Sequence, residues 1–172
     1  INQIYGPSST FAENHDVASL PTGAAYAYLG PLIGAGVRAL WGPLCDKFGG
    51  AIWTFISGIG MAASLGWAAL YLNPKDPSEF TWFLTAMLVF FFFTGLGNAG
   101  TFKQMPMILP KRQAGGVIGW TGAVGAFGPF IVGIMLSMMA APTFFWGCVI
   151  FFVITTVLVW VYYARPNAPY PG

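Results

Sequence analysis

The sequence predicts an all-α membrane protein with five transmembrane helices, and three observations carry that reading. Charged residues make up only 7% of the chain against 56% hydrophobic ones, where a soluble domain carries about a quarter charged. Apolar runs long enough to cross a hydrocarbon core of about 30 Å recur five times. Lysine and arginine gather at one side of those runs. The period-two alternation of a transmembrane barrel is absent, and long apolar runs joined by short loops satisfy their backbones in lipid only as helices.

Residues 1–22 read as a polar leader, with Glu13, His15 and Asp16. No cleavable signal opens the chain and it does not begin with Met, so a segment of a longer protein is expected. The spans follow at 23–42, 50–72, 80–102, 114–139 and 143–163. Between them lie Pro43–Gly49, Asn73–Glu79, Lys103–Gln113 and Ala140–Pro142.

Lys47, Lys103, Lys111, Arg112 and Arg165 fall on one side, and Lys75 stands alone on the other. The crowded side is expected to face the cytoplasm, with the leader outside and a tail at 165–172 inside. Aromatic belts agree: Tyr26, Tyr28, Tyr71, Trp82 and Trp146 at outer ends, Trp41, Trp53, Trp160, Tyr162 and Tyr163 at inner ends. A net charge of +2, widely dispersed, gives no reason to expect nucleic acid. Cys45 and Cys148 are expected at opposite faces, too far apart for a disulfide. The sole histidine, His15, lies in the leader, so no zinc or haem site and no cofactor is expected.

The first span, GAAYAYLGPLIGAGVRALWG, holds one ionisable side chain, Arg38. It precedes Asp46 by eight residues, about 12 Å of helix, which sets it near the middle depth. A charge there is costly and marks a functional site, unless its long stem carries it back to the interface. No Asp or Glu lies within the five spans, so carboxylates offer no proton relay, and a cation at depth favours an anionic ligand. A guanidinium grips a small oxyanion through two parallel hydrogen bonds, which lysine cannot do. No nucleophile, base or metal cluster at depth suggests an enzyme.

Glycines 116, 119, 122, 125 and 128 recur every three residues in the fourth span, followed by Pro129. Such a row suits close helix packing, and it also suits a helix that bends and slides; packing alone suits Gly30/Gly34 and Gly58/Ala62/Gly66. In the third span Phe90–Phe93 read as lipid-facing and packing bulk. Asn98 reads as a buried amide, either joining two helices or touching a ligand.

The stretch Gly42, Pro43, Leu44, Cys45, Asp46, Lys47, Phe48, Gly49 resembles the cytoplasmic-loop motif of the major facilitator superfamily, with Gly42, Asp46, Lys47 and Gly49 at its core positions. Gly50 replaces the basic residue usual next, which thins the loop's charge network. Ala27–Gly50, Thr94–Ile108 and Gly119–Phe130 are similar to the eighth, tenth and eleventh helices of the nitrate/nitrite porter branch. The resemblance implies helices eight to twelve of a twelve-helix transporter, with residues 1–22 ending the seventh. It implies substrate contacts at Arg38, Gly119 and Asn98, and movement at the signature residues Gly122, Gly125, Gly128 and Pro129. It also implies a second arginine in a missing N-terminal half. The expected activity is secondary transport of nitrate and nitrite by alternating access in the cytoplasmic membrane, and the lack of carboxylates favours exchange. Transport of another small or organic anion, or a non-transporting scaffold subunit, are the alternatives.

Overall fold

In the computed structural model, residues 1, 2, 4–6, 9, 12, 13 and 20–170 are described. His15 and Asp16 lie outside them. A short α1 (Gly23–Tyr26) leads into α2 (Leu29–Phe48), α3 (Gly50–Ala69), α4 (Glu79–Ile108), α5 (Lys111–Ala126), α6 (Gly128–Met138) and α7 (Ala141–Val159), which closes in a π-turn at Trp160–Ala164. No strand occurs among the described residues. Among the described residues, four runs are long and apolar enough to cross a membrane: α3, α4, α5–α6 taken together, and α7 with its π-turn. The helix α2 equals α3 in length at 20 residues, but Arg38, Asp46 and Lys47 make it less apolar.

Helix ends depart from the sequence expectation in three places, each for a physical reason. The motif expected as a loop at 43–49 is the last two turns of α2. Pro43 removes a single backbone donor there, and the helix stops only at Gly49, whose φ of 83° suits glycine. The third span runs on to Ile108 and takes Lys103 and Gln104 into the helix, where Lys103 faces a carboxylate partner across the gap and Gln104 is buried. The fourth span breaks at Phe127, where Pro129 in the first turn of α6 has no N–H to offer the preceding turn.

The packing centre is α4, which lies between α2 and α3, while α7 packs mainly on α3 and touches α4 through its aromatic rings. Glycines let these backbones meet. At the crossing of α3 and α4, a Cβ on Gly100 would lie 2.8 Å from the Gly50 carbonyl oxygen, and a Cβ on Gly50 would meet the Gly100 carbonyl in return. Gly95 is closed in the same way by the Gly34 carbonyl, Gly58 by Thr156 and Gly60 by the Phe93 ring. The packing expected of Gly30 is met by Phe91, and Gly66 touches Val149 at 3.9 Å.

The end of the bundle that carries Lys75 is held by an apolar cluster of Tyr5, Leu65, Ala68, Phe80, Phe83 and Phe145. There the Tyr5 hydroxyl donates to the Tyr71 carbonyl at 2.6 Å. The other end, which carries Lys47 and Lys103, is called the basic end below. Phe90–Phe93 are each partly buried, in keeping with the packing role expected of them. Phe90 meets Phe152 of α7 and Phe92 meets Trp41 of α2.

Candidate functional site

Two parallel helices, α2 and α4, frame a cleft of about 530 Å³ whose lining includes Gly34, Arg38, Phe91, Thr94, Gly95 and Asn98. The Gly34–Gly95 contact brings the two backbones close enough for both polar residues to share it. On α4 the residues at 91, 94, 95, 98 and 102 recur every three or four positions, so they lie on one face.

Arg38 is exposed to this cleft. Its guanidinium carbon stands 5.0 Å from the centroid of the Phe102 ring, a cation–π contact. Phe102 lies one turn nearer the basic end than Asn98, so the side chain leans that way without reaching a carboxylate. Among the described residues, no hydrogen bond or ion pair engages the Arg38 side chain. The donors of its fork have no partner among the described residues.

Asn98 was expected to be buried and is exposed, because the open face of α4 has no helix over it. No described residue hydrogen-bonds its amide. Asn98 and Thr94 also line a neighbouring cavity of about 360 Å³ towards the basic end, with the hydroxyls of Thr54, Ser57, Thr101 and Thr155 around it. Thr54, Ser57, Thr94 and Thr155 each donate back to carbonyls of their own helix. Their oxygens therefore offer acceptor sites more than donor sites to that space.

Gly119 is not among the residues lining the Arg38 cleft. Gly119, Gly122, Gly125 and Gly128 have no heavy atom within 4 Å of where a Cβ would stand. In α5 only Ala114 is buried, and in α6 nothing is. Among the described residues, none packs tightly against this row. Pro129 opens α6 beside the break at Phe127.

Of the loop-motif residues, Gly42 faces open space and Gly49 turns the chain into α3. Lys47 lies over the Phe48 ring at 5.3 Å. Asp46 takes Lys103 on both oxygens, at 2.7 and 2.8 Å, which ties the end of α2 to α4. Both side chains are about half exposed, so in water the pair would contribute on the order of 0–1 kcal/mol. Gly50, in place of a basic residue, makes the close α3–α4 crossing possible.

Sequence reasoning did not single out Phe91, Thr94, Phe102 or Lys103. The first three were legible as one helical face with Asn98. Lys103 was not, since its partner is 57 positions away.

With this geometry in hand, comparison with known proteins is informative. A family profile described as the Major Facilitator Superfamily matches residues 3–172. A probable nitrate/nitrite antiporter, NarK2 of Thermus thermophilus, is 47% identical over 156 residues, covering 88% of this chain and 35% of the relative. The nitrate/nitrite transporter NarU of Escherichia coli is 29% identical over 168 residues, covering 81% of this chain and 36% of the relative. The nitrate/nitrite transporter NrtP of Nostoc punctiforme is 31% identical over 137 residues, covering 79% and 26%. The chain thus spans about a third or less of the length of these curated relatives. The similarity to nitrate/nitrite porters read from Ala27–Gly50, Thr94–Ile108 and Gly119–Phe130 is met by them, and the chain belongs to the major facilitator superfamily.

Proposed function

We propose that this chain is the C-terminal part of a secondary transporter that moves nitrate and nitrite across the cytoplasmic membrane by alternating access. Arg38 in its cleft carries the reading: a free guanidinium opening on a half-bundle, with Asn98 beside it and no carboxylate to neutralise it. The observed helices take in two acids, Asp46 and Glu79, at their ends only, and Asp46 is already paired. A planar oxyanion suits the fork of Arg38, with the Asn98 amide as a further donor. Relatives named as nitrate/nitrite transporters support that choice of anion over other small or organic anions. The second wall of the cavity belongs to the N-terminal half, and the glycine row of α5 is the face that slides as the cavity opens to alternate sides. The protein is a transporter and not an enzyme, needs no cofactor, and has its C-terminus in the cytoplasm.

The deciding experiment replaces Arg38 in the full-length protein and follows nitrate uptake into proteoliposomes. Arg38→Lys keeps the charge and loses the fork, so apparent nitrate affinity is expected to fall about tenfold or more. Uptake equal to the unmodified protein would remove Arg38 from the site, no nitrate uptake by the unmodified protein would favour a scaffold role, and loss confined to a different anion would favour another substrate.

A further inference from the structure

We propose that Phe91 is the gate that separates the Arg38 cleft from the opening at the Lys75 end, an assignment that rests on the transport reading and deepens it. The Arg38 cleft abuts a larger cavity of about 610 Å³ on the Lys75 side. That cavity is mostly apolar, with Tyr26, Met87, Leu88, Leu136 and Phe145 among its walls, and among the described residues no charged side chain lines it. Among the described residues, Phe91 alone lines both spaces. Its ring is seated on Gly30, where a Cβ would run into the ring carbons. Its carbonyl accepts the Thr94 hydroxyl at 2.8 Å.

The two sides of Arg38 differ in how they connect to it, since both neighbouring cavities have largely apolar walls. Towards the basic end, the cleft continues past Thr94 and Asn98, which line both spaces, into a cavity walled by hydroxyls and by Met61, Phe151 and Val159. In the other direction, an anion meets an aromatic ring and then oily walls. A hydrated anion passes an apolar constriction only when the constriction widens enough to stay wet. With the ring on Gly30, Arg38 communicates with the basic end. Moving the ring off Gly30 joins the cleft to the apolar vestibule. Glycine at 30 is part of the device, because it gives the ring a flat seat on α2.

The test is thiol accessibility in intact cells that make the full-length protein, with all its native cysteines, Cys45 and Cys148 among them, replaced by alanine. Ala35→Cys places a single thiol in the Arg38 cleft, and a membrane-impermeant trimethylammonium thiosulfonate is added from outside. In the proposed orientation the Lys75 end faces the reagent. Phe91→Ala is expected to speed labelling about tenfold by removing the apolar barrier, and Phe91→Trp to slow it at equal amounts of protein in the membrane. Equal rates with phenylalanine, alanine and tryptophan at 91 would overturn the gate. Phe91→Leu, which keeps apolar bulk, is expected to stay near the unmodified rate; a leucine rate as fast as alanine's would overturn it too. Labelling does not depend on which anion is carried, so a protein that fails to transport nitrate and still shows this order refutes the substrate and leaves the gate standing.

Discussion

Tyr5 joins the segment before α1 to the bundle through one ring and one hydroxyl. The ring packs edge-on against Phe80 and beside Phe83, and the hydroxyl is spent on the Tyr71 carbonyl. Burial, with Glu79 and Tyr71 adding to it, holds the phenol above its ordinary pKa. A phenol raised in the folded state leaves stability intact below about pH 10, where the unfolded chain also keeps its proton, and withdraws it as pH climbs further. Tyr5→Phe should lower thermal stability by about 1 kcal/mol at neutral pH, through the lost hydrogen bond. It should also flatten the alkaline decline, so melting curves of both proteins from pH 8 upward check the two effects together. Legibility divides sharply among single residues. Arg38 stood out because a charge in an oily run has few innocent readings, whereas Tyr5 sat in a leader with no periodicity to place it. Phe91 was hidden among four phenylalanines, and only the position of Gly30 in space distinguishes it.

Helices were easier to read than their ends. Composition and length mark each span, because lipid admits few alternatives, but termination depends on partners that sequence does not show. The extension of α4 past Gly100 is stabilised where Lys103 meets Asp46, and α2 continues through Pro43 because one missing donor does not end a helix. Glycines look alike in sequence and differ completely in place. A Cβ on Gly100 would run into the backbone of α3, while one on Gly122 would meet none of the described residues. Gly100→Ala should therefore destabilise the full-length protein by about 1–3 kcal/mol, since a Cβ there forces two backbones apart; thermal unfolding in detergent reads this. Gly122→Leu should leave that unfolding nearly unchanged, yet lower transport turnover severalfold with nitrate affinity largely kept. Transport at the unmodified rate would retire the sliding role of α5.

At the scale of the whole molecule, the bundle has one well-packed side and one bare one. Packing is concentrated in α2, α3, α4 and α7, and the α5–α6 run has none of its apolar window buried. The bias of basic residues predicts how this object sits in the bilayer: Lys75 outside, Lys47, Lys103, Lys111, Arg112 and Arg165 inside. With native cysteines removed, Lys75→Cys should label with an impermeant thiol reagent in intact cells, and Arg165→Cys only after the membrane is opened. The reverse pattern would invert the orientation. Fold class was legible in full from such bulk properties. The cleft was legible in half, since Arg38 and Asn98 were both singled out, but their sharing one space depends on the approach of Gly34 to Gly95.

The bare glycine face of α5 has a thermodynamic consequence of its own. A surface without side chains has no rotamers to freeze, so whatever helix settles against it loses freedom on one side of the contact only. It also has no interlocking knobs to lift clear, and neighbouring registers along it differ little in energy. Such a joint resembles a smooth rail more than a toothed rack, giving up the specificity of interdigitated packing for ease of travel.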